Sequence, residues 1–165
     1  MSEVTLSNRR HRTVMQSERT STSPLVSAFT ATRAAHVFTL CAAGVIAFQV
    51  ALVGGAPWGE LTQGGGVSGA LAAPARVVAA VSALLLLAMA FVVRARAGLL
   101  TAPRACRLAR FVWLVVAYCA LGVVANAATP SAAERRLWLP VVLVMLICSL
   151  RVALASAPPV PGGAA

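Results

Sequence analysis

Residues 34–53 read AAHVFTLCAAGVIAFQVALV, a run without Asp, Glu, Lys or Arg. A helix that crosses a bilayer core of about 30 Å needs about 20 such residues, within a range of about 17–25. Three more runs follow: VVAAVSALLLLAMAFVV at 77–93, FVWLVVAYCALGVVANAA at 111–128 and LWLPVVLVMLICSLRVALA at 137–155. The second is near the lower limit. The fourth is long enough provided that Arg151, in its last turn, extends its guanidinium back to the headgroups. Together the runs predict an all-α fold, a four-helix transmembrane bundle.

Composition agrees. The 165-residue chain is 59% hydrophobic and 11% charged, with a mean hydropathy of +0.85. Soluble domains are about 45–50% apolar and about 25% charged. A water-soluble fold of this length has too little polar surface to cover so much apolar content.

The basic residues, all fourteen of them Arg, fall on alternate breaks between the runs. One side receives Arg9, Arg10, Arg12, Arg19, Arg33, Arg94, Arg96, Arg104, Arg107, Arg110 and Arg151. The other receives Arg76, Arg135 and Arg136. The positive-inside rule predicts that the crowded side, with both termini, is cytoplasmic. The net charge of +10 is then a topological signal. Anionic lipid headgroups are a sufficient partner for it, and no nucleic-acid partner is expected. Abundant Ala, Gly, Val, Pro and Arg without Lys reads as a GC-rich, bacterial coding sequence, so the expected site is the bacterial cytoplasmic membrane.

Outside the bundle, 1–23 reads as a disordered basic cytoplasmic tail and 156–165 as a disordered Pro/Gly tail. More than twenty mostly polar residues separate Arg9-Arg10 from the first apolar run, which argues against a twin-arginine or cleaved secretory signal. The first run is expected to be a retained anchor. The remaining domain is 24–155. Proline stands near the expected start of each helix, at Pro24, Pro74, Pro103 and Pro130. Its missing N–H has no partner in a first turn anyway. Gly54 and Gly98 suit helix C-terminal caps. Pro140 is expected to kink the fourth helix or start it afresh. Ala43, Ala47 and Ala51, and Ala79 with Ala83, form small-residue ridges that let membrane helices approach closely.

Chemistry is sparse. Cys41, Cys106, Cys119 and Cys148 form no C-x-x-C pair, and all but Cys106 lie in apolar runs, where they read as small apolar filler. No cluster of ligand residues suggests a metal. Asp is absent and no Glu falls within the four runs. A proton-coupled carrier or an intramembrane acid–base enzyme thus lacks its usual carboxylate. His36 reads as a neutral, hydrogen-bonded side chain. No catalytic residue, cofactor or metal ligand is expected, and the protein reads as non-enzymatic.

The polar residues that remain lie toward the outer side. Gln49, Ser82 and Asn126 sit within the runs. Trp58 and Glu60 belong to the first outer loop, Arg76 to the start of the second helix, and Glu134 and Arg135 to the second outer loop. The sequence predicts one outward-facing polar cluster of Gln49, Trp58, Glu60, Arg76, Asn126, Glu134 and Arg135. Each member also has a structural reading. Trp58 and Trp138 suit an interfacial aromatic belt. Ser131-x-x-Glu134 is a capping box. Glu60 pairs with Arg76 or faces water, and Asn126 bonds across helices. Gly59-x-x-x-x-Gly64 has the outer spacing of a phosphate-binding loop, but Gly65 stands where that loop needs lysine, so the run reads as a flexible turn.

Ala56-Pro57-Trp58-Gly59 with Gly64-Gly65, then Asn126, Glu134-Arg135 and Pro140, resembles a group of small four-span bacterial membrane proteins of uncharacterised function. The resemblance covers roughly residues 34–155. It implies the same topology and brings no activity with it. The leading expectation is a membrane subunit or interaction protein, partnered by another membrane protein or by its own copies. The alternative is a small oligomeric transporter or channel.

Overall fold

A computed structural model describes residues 24–100 and 102–155. The tails expected at 1–23 and 156–165 lie outside them. The elements are α1 (Pro24–Val53), α2 (Ala73–Arg96), α3 (Pro103–Leu108), α4 (Val112–Ala128) and α5 (Ala132–Leu154). A 3-10 turn, Ala109–Phe111, joins α3 to α4, and another, Gly59–Leu61, interrupts the connection from α1 to α2. Among the described residues there is no β-strand, only a single bridge between Trp58 and Gly69.

Four helical segments are long and apolar enough to cross a membrane: Thr30–Val53, Ala73–Arg96, Ala109–Ala128 and Ala132–Leu154. Their surfaces explain why water is the wrong solvent. The protein buries only 17% of the apolar window in the first segment and 33% in the second. Leu40, Leu84, Leu121 and Leu154 are each at least 66% exposed. Such surface needs lipid or another apolar partner.

The buried side of each helix is narrow and regular. It consists of Ala35, Phe38 and Ala42 in α1; Leu86, Met89, Ala90 and Val93 in α2; Val112, Val115 and Cys119 in α4; and Met145, Cys148 and Val152 in α5. The spacings of three and four keep each set on one seam. α1 packs between α2 and α5, and α5 packs in turn against α4. Most of these residues belong to the start of α1, the end of α2, the start of α4 and the end of α5. The main core therefore sits at one end of the bundle, called here the arginine end. The opposite, loop end carries the connections at 54–72 and 129–131 and a smaller core of Leu52, Leu71 and Ala79.

The structure corrects several sequence expectations. α5 runs through Pro140 without restarting. Neighbouring turns hold it across the one hydrogen bond that proline removes. Pro130 stands outside α5, before the Ser131 N-cap. Gly54 is not the left-handed cap residue of α1. That position is Gly55 (φ +95°), with Gly55 N donating to Leu52 O at 3.0 Å and Ala56 N to Ala51 O at 2.9 Å. This is the paired bonding of a Schellman cap. Gly98 (φ +76°) fills the same role after α2, as expected. Ala43 and Ala47 face away from the core, which uses the adjacent Ala35–Phe38–Ala42 seam instead. Cys106, expected in a loop, belongs to α3. Cys41, Cys119 and Cys148 are free thiols, the last two buried.

Arg96 has more than a topological role. Its Nη2 donates to Ala153 O at 3.1 Å and to Ala155 O at 2.6 Å. A cation from α2 thus satisfies carbonyls at the C-terminal end of α5, where the helix dipole also favours positive charge.

Candidate functional site

The site is built by the loop that follows α1. After the Gly55 cap the chain turns back on itself. Gly59 N donates to Gly69 O at 2.9 Å. Gly59 is buried, and a Cβ there would stand 2.6 Å from Val67 O, so the crossing requires glycine. The run expected to be a flexible turn is instead held. Gln63, Gly64 and Gly65 all have positive φ, and Gly65 N donates to Thr62 O at 2.9 Å. At Gly65 a Cβ would meet Ser131 Cβ at 2.5 Å, so the loop touches the α5 N-terminus as closely as backbone allows.

Glu134 is the fastening point. Its Oε2 accepts from Gly64 N at 3.0 Å and from Thr129 Oγ1 at 2.8 Å. Glu134 N donates to Ser131 Oγ at 3.2 Å. One half of the expected capping box forms, while the carboxylate turns to the distant loop. In the reciprocal half of the box the same carboxylate would accept from Ser131 N; here it accepts from Gly64 N and Thr129 Oγ1 instead. Ser131 Oγ, accepting from Glu134, donates its own proton to Glu60 O at 3.2 Å. One turn further along α5, Trp138 Nε1 donates to Leu61 O at 2.7 Å. Its ring meets Phe48 edge-on, with centroids 4.7 Å apart, and Phe48 stacks on Trp58 at 5.8 Å. These contacts clip residues 59–65 onto the start of α5.

Beneath the clip lies a cavity of about 330 Å³. Thr62, Glu134 and Trp138 line it at the loop end, and Met89, Cys119 and Met145 line it toward the main core. Met145 lies eleven residues along α5 from Glu134, about 16 Å at about 1.5 Å per residue. The lining is mostly apolar, with Gln49, Thr62, Ser82, Tyr118, Asn126 and Glu134 among its polar residues. Ser82 Oγ donates to Val78 O at 2.8 Å, and Asn126 Nδ2 to Gly122 O at 2.8 Å. The expected cross-helix bond of Asn126 is therefore a bond within α4. Gln49 Oε1 is buried without a hydrogen-bond partner.

The predicted cluster thus divides. Gln49, Asn126 and Glu134 meet at the cavity. Trp58 stands behind Phe48. The Glu60 residue is exposed, and its backbone carbonyl holds Ser131. Arg76 Nε donates to Leu71 O at 2.8 Å, and its guanidinium lies against Gly55, so it serves the loop rather than Glu60. Arg135 Nη1 reaches Ala127 O at 3.5 Å, a long contact at the end of α4. Glu134 lies in the first turn of α5, ahead of the apolar run at 137–155. The helix starts earlier than its apolar run.

Sequence reasoning missed Phe48, Thr62 and Tyr118 as lining residues. Tyr118 had a signal: with Gly122 and Asn126 it recurs every four residues along one face of α4. Thr62 had none, because its place depends on the clip between distant segments. Among the described residues no group of three or more His, Cys, Asp or Glu side chains converges to hold a metal. No protein-family model, curated protein or solved structure matches the chain.

Proposed function

We propose that the protein is a non-enzymatic, multi-pass protein of a bacterial cytoplasmic membrane that serves as a membrane subunit or interaction partner through its loop end. The observation that carries this reading is the clipping of 59–65 onto α5 by Glu134, Ser131 and Trp138. Loops held by side chains from a distant helix form a defined surface, and a defined surface lowers the entropy cost of docking. That surface displays Trp58, 44% exposed, beside exposed Glu60, Arg135 and Arg136. An aromatic among charges of both signs is typical of interaction hot spots. The partner is another membrane protein or a second copy of this chain.

The arginine distribution supports an orientation with both termini in the cytoplasm and the loop end outside. Anionic headgroups then surround the arginine end. A Glu60→Cys variant tests the orientation. It should react with a membrane-impermeant maleimide in intact cells, and reaction only after permeabilisation would reverse the topology. Photocrosslinking from position 58 in living cells tests the interaction. A discrete adduct that disappears in Gly65→Val, which breaks the clip, is expected. A position-58 probe that captures only lipid would overturn this reading.

The cavity favours a second reading, a small oligomeric transporter. Transport requires the Phe38–Val93–Val112 seam at the arginine end to open. Solute flux in proteoliposomes that is lost in Asn126→Leu would support it.

A further inference from the structure

The cavity under the clip has a chemical character beyond any docking role for the loop end. Its carboxylate, Glu134, has no cation beside it among the described residues. The Ser82 proton is committed to Val78 O and one Asn126 Nδ2 proton to Gly122 O, so the remaining donors of the lining, the Thr62 and Tyr118 hydroxyls and the second Asn126 proton, are neutral. Gln49 Oε1 is a buried acceptor with no donor. Glu134 brings a carboxylate, which only accepts when ionised. The two arginines expected beside it are turned to carbonyls, Arg76 to Leu71 and Arg135 to Ala127. An orphaned acceptor in a poorly solvated site is costly, and a donor that reaches it recovers that cost. The complement to this lining is a positively charged, hydrogen-bond-donating group.

The rest of the lining is apolar and adaptable. Val45, Leu86, Val142, Met89 and Met145 surround the deeper part, and thioethers conform to irregular chains. One flank reaches the protein surface, since the lining residues Tyr118 and Leu121 are 44% and 66% exposed. α2 and α4 touch less than the other neighbouring helices do, and α3 and the 3-10 turn supply much of their contact at the arginine end. The cavity is lined by α1, α2, α4 and α5, and the gap between α2 and α4 flanks it. Its volume of about 330 Å³ lies at the lower end of small-molecule sites, about 300–1,000 Å³. That suits one alkyl chain rather than the two of a phospholipid.

We propose that this cavity binds a single-chain amphiphile with a cationic headgroup, which enters between α2 and α4 and places its ammonium against Gln49 Oε1 and Glu134. The test uses the full chain in phosphatidylcholine nanodiscs, with Trp58→Phe and Trp113→Phe leaving Trp138 as the only tryptophan. The probe is dodecylammonium brominated at its sixth carbon, which quenches indole fluorescence on contact and lies level with Trp138, about one turn of α5 from Glu134, when the ammonium is at Glu134. Saturable quenching of Trp138, displaced by unbrominated dodecylammonium, is expected. The alcohol and sulfate of the same chain should bind at least about tenfold more weakly, as expected for loss of a charge-assisted hydrogen bond. Glu134→Gln should weaken binding by a similar factor, but it also loosens the clip. Gln49→Leu removes the orphaned acceptor and leaves the clip intact, so it decides the matter. About tenfold weaker binding in Gln49→Leu supports the site. Unchanged affinity in that variant overturns the proposal, as does non-saturable quenching or equal binding of amine and sulfate.

Discussion

The two ends of this bundle hold together by different means. At the arginine end, α1, α2, α4 and α5 meet along seams of fully buried residues such as Phe38, Val93 and Val152. At the loop end, polar bonds between distant segments do the corresponding work: Gly64 to Glu134, Ser131 to Glu60 and Trp138 to Leu61. The difference follows from the solvent. Lipid is as apolar as the core, so helices there associate by close packing of complementary side chains. Loops outside the hydrocarbon must satisfy their backbone groups, and the Gly-rich segment does so by accepting anchors from α5. At the arginine end the space between helices is taken up by buried side chains. The polar clip spans the loop end without filling it, and a cavity remains underneath.

Phe38→Ala should break this comparison most strongly. Phe38 is 0% exposed and stands at the centre of the arginine-end seam. Truncating a buried Phe costs about 3–5 kcal/mol in water-soluble cores. In lipid the transfer share of that cost falls away, since the unfolded helix still sits in an apolar solvent, and about 2–3 kcal/mol of lost packing should remain. Reversible unfolding in mixed micelles measures it. A loss below about 1 kcal/mol would mean that the seam is not what holds the bundle.

Gly65→Val should come next and act on the other end. A β-branched residue at φ +70° is strained by about 1–3 kcal/mol, and its Cβ would collide with Ser131. The loop at 54–72 should become protease-sensitive while the seam keeps its thermal transition. Trp138→Phe should be milder. It keeps the ring against Phe48 and deletes the donor to Leu61 O, for about 1–2 kcal/mol. Loop protection from hydrogen exchange should fall locally, and a uniform fall across all four helices would show that the two ends are one cooperative unit.

These two ends were not equally legible in the sequence. The helices were readable because hydropathy and length act locally: the first, second and fourth apolar runs, extended back to their prolines, each recover a helix to within a few residues, whereas the stretch from Pro103 to the third run divides into α3, a 3-10 turn and α4. α5 hid its start because Glu134 and Arg135 look like loop residues, although the Ser131 cap places them in its first turns. The same local view marked Gln49, Asn126 and Glu134 but grouped them with Arg76 and Glu60. Nothing along the chain records that Gly64 meets Glu134, since seventy positions separate them. The glycines carried the available hint. A sequence that keeps Gly64-Gly65 beside a capping Ser-x-x-Glu has a reason for close backbone approach, but its partner emerges only when the helices pack.

The smallest expected effect is also the most discriminating about Asn126. An asparagine deep in a bundle invites a cross-helix bond, worth about 0.6 kcal/mol on average. Here its Nδ2 bonds Gly122 O, one turn back on the same helix. That carbonyl is also an acceptor for the helix ladder, so losing the side-chain bond orphans no backbone group. Asn126→Leu should therefore change unfolding stability by less than about 0.5 kcal/mol. The new side chain would sit in the cavity lining with Gln49, so a gain in stability would come from filling the cavity. A loss above about 1 kcal/mol with α4 intact by circular dichroism would mean that Asn126 bonds across the bundle after all, and the cavity would then be narrower than the present geometry has it.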